Sequence, residues 1–111
     1  MTMARTDLGD LEHLVLLAIL RLGTDAYGIP ILDEVSSRSG RDVSRATVYV
    51  ALKRLEQKGL VVSRLGDSTP ERGGRAKRFF KLKAAGLKAL RESRDMFLNL
   101  WRDYETVLDR A

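Results

Sequence analysis

Apolar side chains near the start of the chain repeat at intervals of three and four residues, as in an amphipathic helix. The repeating positions are Leu11, Leu14, Val15, Ala18, Ile19 and Leu22. This spacing predicts a helix from Leu8 to Leu22, with Asp7 as its N-cap and Gly23 directly after its last turn. Further leucines lie between the repeating positions, so the helix is expected to contact more than one neighbour.

Two shorter helical patterns follow. The first predicts a helix from about Tyr27 to Arg38, capped by Thr24 or Asp25, with a proline in the first turn where it is tolerated. The second predicts a helix from Arg45 to Lys58 that begins at Ser44, a residue type favoured at N-caps.

The pattern then changes from helical to alternating. Leu60 to Leu65 and Arg75 to Leu82 are each predicted to be strands, separated by a glycine- and proline-containing turn cluster over residues 66–74. Together these segments predict a hairpin with a projecting loop. From about Ala84 to Arg110 no proline occurs, and we expect one helix about 40 Å long.

This last segment carries a heptad-like apolar seam in which one slot, Arg94, is charged. The seam positions are Leu87, Leu90, Phe97, Trp101, Tyr104 and Leu108. They could pack within one chain, but three short helices cannot cover a helix of that length. We therefore favour a seam between two copies, and expect Leu90, Phe97, Trp101, Tyr104 and Leu108 at a homodimer interface against the first helix of the partner.

The order of elements is three helices, a hairpin and a long helix. It predicts a mainly α fold with a small β-hairpin, namely a winged helix-turn-helix followed by a C-terminal dimerisation helix. We place the winged-helix DNA-binding domain at residues 1–83 and the dimerisation helix at residues 84–111. In such folds the third helix enters the major groove, and the hairpin, or wing, reaches the flanking backbone or the minor groove.

Charge is distributed unevenly along the 111 residues, whose net charge is +5. Residues 1–40 hold three basic and six acidic side chains, and residues 89–111 hold four and five. Residues 41–88 hold thirteen basic and four acidic side chains, a net charge of +9. A basic stretch is often only a solvated face, but this one coincides with the predicted third helix and wing and favours a polyanion-binding surface.

The composition argues against enzymatic and metal-dependent functions. The chain has no cysteine and one histidine, His13, which leaves no thiolate metal site and little room for a catalytic triad. No glycine-rich phosphate loop precedes a predicted helix. The longest apolar run, Leu14 to Leu20, is too short to span a bilayer. The N-terminus also lacks the sequence of basic, apolar and then small residues that is typical of a secretory signal. We expect a cytoplasmic protein that needs no cofactor and no membrane.

Three segments resemble the PadR-type transcriptional regulators over residues from about 11 to 90. The segment from Thr47 to Val61 resembles the recognition-helix signature of that family, Gly74 to Leu82 resembles its wing, and Ala26-Tyr27-Gly28 resembles its second-helix entry. The chain departs from the family pattern in several helix-start positions: Ile29, Ala46, Val50 and Lys83. The resemblance implies a DNA-binding regulator of the short subclass with one C-terminal helix. With the predicted dimer, we expect a repressor that acts on a pseudo-palindromic operator.

The winged-helix prediction and this resemblance together select candidate DNA-binding residues. Those on the third helix are Arg45, Thr47, Tyr49, Lys53 and Arg54, and those on the wing are Arg72, Arg75, Lys77 and Arg78. We favour Arg45 for base contact and Lys53 or Arg54 for phosphates, while at least one of these cations is expected to be merely solvated. Alternation along the strand places Arg75 and Lys77 on one face and Arg78 on the other.

Two alternatives stay open at this point. Winged helices also serve as protein–protein adaptors, in which the basic face would meet an acidic partner. Some members of the resembled family stack planar ligands on an aromatic side chain of the last helix, which makes Trp101 a candidate ligand contact at the dimer interface, although ordinary packing also explains a tryptophan there.

Overall fold

The computed structural model describes residues 8–66 and 76–110. Six elements follow one another in the predicted order: α1 Asp10–Leu22, α2 Gly28–Ser39, α3 Arg45–Gln57, β1 Val61–Leu65, β2 Arg78–Leu82 and α4 Ala84–Trp101. Short 3-10 turns occur at Gly23–Asp25 and Val107–Arg110. The mainly α architecture with a two-stranded antiparallel hairpin confirms the predicted fold class, while the dimerisation role of the last helix stays a prediction.

The start of α3 follows the sequence prediction. Ser44 is the N-cap, and its Oγ accepts a hydrogen bond from the backbone N–H of Thr47 at 3.1 Å. This bond satisfies one of the N–H groups that the first turn of a helix leaves without a partner. Just after the C-terminal end of α3, Gly59 has a φ of 77°, a left-handed conformation that glycine adopts without steric cost.

The starts of α1 and α2 differ from the prediction. The N-cap of α1 is Gly9, not Asp7, and its N–H donates to the Glu12 side chain at 3.2 Å. The N-cap of α2 is Tyr27, which makes no side-chain capping bond. Thr24 and Asp25 cannot cap α2 because they belong to the 3-10 turn after α1. The backbone of Tyr27 instead pairs with the wing.

One hydrophobic core joins the helices to the hairpin. It contains, among others, Val15, Leu16, Ile19, Ile31, Val35, Val48, Leu52, Leu55, Leu60, Val61, Phe80 and Leu90. Among the described residues, Glu12 is the one charged residue that is buried. Burial acts to raise the pKa of Glu12, but hydrogen bonds from the Lys58 ammonium, at 2.6 Å, and from the Gly9 amide outweigh it and lower that pKa. The bond between Lys58 and Glu12 connects α1 to the residue that follows α3.

The wing is attached to the helices through the segment before α2. Within the hairpin, Ser63 pairs with Phe80 and Arg64 with Phe79. On the outer edge of β2, the Phe80 N–H donates to the Ala26 carbonyl at 2.8 Å, and Tyr27 forms an isolated antiparallel bridge with Phe79. These bonds fix the base of the wing relative to the start of α2.

The last helix is shorter than predicted. α4 ends at Trp101 because the backbone of Arg102 is extended, with a ψ of 129°, and Asp103 adopts a positive φ of 69°. Its 18 residues span about 27 Å at 1.5 Å per residue, so the expected continuous helix to Arg110 is wrong. None of the helices in the described ranges is both long and apolar enough to cross a membrane.

Candidate nucleic-acid interface

The exposed face of α3 contains most of the predicted DNA-binding residues of this helix. Val48, Ala51, Leu52 and Leu55 turn inward, so the opposite face is left to solvent. At about 100° per residue, Arg45, Tyr49 and Lys53 follow one flank of that face, and all three are exposed. This flank approaches α2, because a Cβ on Gly28 would lie 3.1 Å from the Tyr49 hydroxyl.

Thr47 and Arg54 lie on the other flank of α3. The Thr47 hydroxyl is 2.7 Å from the Ser44 hydroxyl, so it takes part in the cap while it stays exposed. Arg54 is close enough to α1 to contribute, after Lys58, to the lowered pKa of Glu12. The predicted set therefore divides between two flanks of one helix.

The middle of the exposed face includes two residues that sequence reasoning did not select. Ala46 and Val50 fall between the two flanks, and Val50 is 50% exposed. Both are positions at which the chain departs from the resembled family. The signal that could have identified them was available, because helical spacing alone places them opposite the buried residues.

The α3 cations differ from the paired cations of the surrounding surface. Arg21 and Arg38 both bind Glu34, at 2.8 and 2.9 Å, and these bonds hold the pKa of Glu34 below its ordinary value. By contrast, Arg45, Lys53 and Arg54 form no ion pair with any residue of the described ranges. Their charge is therefore left available to an external anion.

Two of the predicted DNA-binding cations of the wing, Lys77 and Arg78, lie in the described residues and have different hydrogen-bond partners. Arg78 donates to the Ser63 hydroxyl at 3.0 Å, and Ser63 in turn donates to Glu56 at 2.7 Å, which links the wing to α3. Lys77 instead reaches toward Tyr27, with its Nζ 3.4 Å from the Tyr27 hydroxyl. Arg72 and Arg75, the other two predicted wing residues, lie outside the described residues.

The C-terminal apolar residues form an exposed surface. Phe97 is 50%, Trp101 41%, Tyr104 62% and Leu108 66% exposed. Leu90 is a correction to the predicted interface: it is buried in the core of its own chain, which leaves little of its side chain for a partner. Tyr104 and Leu108 follow the end of α4, so the seam does not continue on one straight helix.

Contacts between α1 and α4 bring this surface next to exposed leucines of α1. The Ser93 hydroxyl is 3.0 Å from His13 Nδ1, and the His13 and Phe97 rings are 6.4 Å apart. Partial burial lowers the pKa of His13, an effect that Asp10 opposes. Leu17 and Leu20 of α1 are also exposed. These residues give the seam and α1 apolar surface that no other residue of the described ranges covers.

A groove of about 590 Å³ lies between the end of α1, the outer face of the wing and the start of α4. Val62, Arg64, Phe79 and Leu87 are among its lining residues, and Trp101 is not. A ligand-binding role of Trp101 therefore stays a prediction from the sequence.

Three helices, an attached wing and an exposed basic helix face define the winged-helix class of proteins. The profile of the PadR-like transcriptional regulator family matches residues 16–92, and the chain belongs to that family. Members of this family are transcription regulators that generally bind DNA.

Known proteins resemble the whole chain. An uncharacterised protein of Lysinibacillus sphaericus is 29% identical, over 96% of this chain and 94% of its own length. The crystal structure of a PadR family transcription regulator from Clostridium difficile R20291 superposes with a TM-score of 0.69 at 27% identity, covering 92% of this chain and 97% of that one. A PadR-like transcription factor from Bacteroides fragilis has the same TM-score and identity, covering 91% and 89%.

Proposed function

We propose that the protein is a homodimeric transcriptional repressor that binds a pseudo-palindromic operator. The observation that carries this proposal is the exposed face of α3, where Arg45 and Lys53 make no ion pair with the described residues, whereas Arg21 and Arg38 on the helices nearby both pair with Glu34. Unpaired cations on a helix that fits the major groove supply both phosphate contacts and base contacts.

The chemistry of the α3 face assigns separate roles to its residues. Arg45, in the first turn, is placed to donate two hydrogen bonds to a guanine edge, and Lys53, two turns later, meets a phosphate. Val50 supplies an exposed apolar side chain, which suits contact with the methyl group of thymine. A Val50→Ala variant is expected to lose preference for thymine at one operator position.

The exposed apolar surface at the end of α4 supports a homodimer. Phe97 and Trp101 are large side chains about half exposed, and contiguous exposed apolar surface marks an interaction site. A twofold dimer presents two α3 helices to successive turns of the duplex, about 34 Å apart, so half-sites about 10 base pairs apart are expected.

Selection of bound DNA from a random pool, at a stated salt concentration, tests the function. The expected product is a pseudo-palindrome with half-sites about 10 base pairs apart. Arg45→Ala should remove the preference for guanine at one position of each half-site, and Arg91→Ala, which removes an equal charge from α4, should leave the motif unchanged. Recovery of no motif would instead support the adaptor alternative.

Repression is tested by placing the selected site over a promoter. A bound dimer is expected to exclude polymerase sterically, so reporter output should fall when the protein is added in a purified transcription reaction. A rise in output would identify an activator and leave the DNA-binding assignment intact.

A further inference from the structure

Two cations at the base of the wing lie against aromatic rings. Lys77 Nζ is 4.5 Å from the centroid of the Tyr27 ring, and Arg64 Cζ is 5.2 Å from that of Phe79. The two rings pack against each other at 5.3 Å with an interplanar angle of 59°. Lys77, Tyr27, Phe79 and Arg64 therefore form one row, here called the wing-base row, in which cations flank a pair of aromatic rings.

The backbone holds the wing-base row in place. The Tyr27–Phe79 bridge and the Phe80 N–H bond to the Ala26 carbonyl join the start of α2 to β2. The Gly66 N–H donates to the Lys77 carbonyl at 2.6 Å, which extends the hairpin pairing beyond β2. The aromatic pair thus has a fixed position relative to both the helices and the wing.

The wing-base row and the exposed face of α3 both reach the start of α2. Tyr27 is followed directly by Gly28, and a Cβ on Gly28 would lie 3.1 Å from the Tyr49 hydroxyl. Tyr49 on α3 and Lys77 on the wing therefore approach the start of α2 at neighbouring residues, Gly28 and Tyr27. A duplex seated on α3 that extends past the start of α2 would meet Lys77.

Cations held by rings keep hydrogen-bond donors for an external anion, although one donor of Lys77 faces the Tyr27 hydroxyl at 3.4 Å. Lys77 and Arg64 form no ion pair with any residue in the ranges that the structure describes, and both are exposed. Ring contacts attract a cation without neutralising its charge. They also restrict a flexible side chain before binding, which reduces the ordering cost when a phosphate arrives.

We propose that Tyr27 is a positioning residue that holds Lys77 toward the DNA backbone, and that Arg64, held likewise by Phe79, is a phosphate-contacting residue. This inference rests on the proposed DNA-binding function. It adds two residues, Tyr27 and Arg64, that carry no sequence motif for phosphate binding. It also assigns Lys77 a partner 50 residues away in the chain.

The test measures anisotropy of a labelled, mixed-sequence DNA duplex with the full chain, between about 50 and 200 mM salt. Arg64→Gln and Lys77→Gln are each expected to reduce the salt slope of log K by about 1. The control Arg91→Gln lowers the net charge equally from α4 and should leave the slope within error of the wild type. An Arg64→Gln slope equal to that of the control would refute the assignment of Arg64.

A double-mutant cycle isolates the role of Tyr27. Tyr27→Leu keeps every charge and is expected to weaken binding about 2- to 5-fold, the equivalent of an exposed cation–π contact. In the Lys77→Gln background the same change should have no effect, and Tyr27→Phe, which keeps the ring, should bind within 2-fold of the wild type. Equal weakening by Tyr27→Leu in both backgrounds would overturn the positioning role.

The surface variants keep the proposal testable if Tyr27→Leu does not fold, because Lys77→Gln and Arg64→Gln remove no buried side chain. Thermal unfolding of each variant reports folding separately from binding. A wild-type protein without any salt-dependent affinity for DNA would refute the proposed function itself, whereas normal wild-type binding with unchanged variant slopes would refute only this inference.

Discussion

Replacing Gly86 by alanine should destabilise the protein, although alanine is the better helix former. Gly86 is buried in the first turn of α4 and faces the junction after α3. A Cβ at this position would collide with the carbonyl oxygen of Leu60 and lie 3.3 Å from Leu82 Cδ2. The same carbonyl accepts a hydrogen bond from the Lys83 N–H at 2.9 Å. The methyl group therefore cannot be accommodated without moving α4 or breaking that bond.

The opposing contributions can be estimated separately. Forcing an additional methyl group into a packed site costs about 1–3 kcal/mol. Loss of the Lys83–Leu60 hydrogen bond would add about 0.5–1.5 kcal/mol. The greater helix propensity of alanine returns up to about 1 kcal/mol. The net expectation is a loss of about 0.5–3.5 kcal/mol in the free energy of unfolding, or a fall in Tm of about 2–14 °C for a domain of this size.

Thermal unfolding followed by circular dichroism, at one fixed protein concentration, measures this difference. Gly28→Ala is the matched control, because its new Cβ would meet only the hydroxyl end of the Tyr49 side chain, at 3.1 Å, and that half-exposed ring can move aside. The control is expected to change Tm by less than about 4 °C. A Tm of Gly86→Ala at or above that of the wild type would refute the packing argument and leave helix propensity as the dominant effect.

Three further predictions follow from the described contacts. Ser44→Ala removes the N-cap hydrogen bond to the Thr47 N–H and should lower the free energy of unfolding by about 1 kcal/mol in a denaturant titration. An unchanged midpoint would contradict the capping role. The folded pKa of Glu12 is lowered, so its contribution is full above the unfolded value of 4.5 and is lost as pH falls through the folded pKa. The stability difference between wild type and Glu12→Gln should shrink over that acid range, and a constant difference would exclude this linkage. Phe97→Glu places a charge on the apolar surface of α4, and light scattering should find a monomer with an unchanged circular dichroism spectrum; a persisting dimer would place the interface elsewhere.

The recognition helix could be predicted from the sequence because its signals are local. Ser44 precedes the apolar repeat at the spacing that a cap requires, and the buried positions of α3 follow one helical face. The cap of α2 was predicted wrongly for a non-local reason. Tyr27 occupies the N-cap position because its backbone pairs with Phe79, more than fifty residues later, and no local pattern encodes that pairing.

The end of α4 illustrates a different limit. The apolar repeat continues past Trp101 to Tyr104 and Leu108, and no proline or glycine interrupts it, so periodicity predicts one long helix. The chain leaves the helix at Arg102, and Asp103 takes a positive φ that asparagine and aspartate tolerate better than most residues. An aspartate is too common inside helices for its presence to have signalled this end.

How many of the basic side chains can bind DNA depends on which of them form ion pairs within the protein. The sequence does not show these ion pairs. Counting residues identifies a basic middle segment, but it treats Lys58 and Lys53 as equals. In the structure Lys58 binds the buried Glu12 and joins α3 to α1, while Lys53 forms no ion pair with the described residues and stays exposed. The number of cations available to DNA is therefore smaller than the net charge of the segment suggests. A salt slope measured on the intact protein should accordingly reflect the unpaired cations of α3 and the wing and not the full count of basic residues.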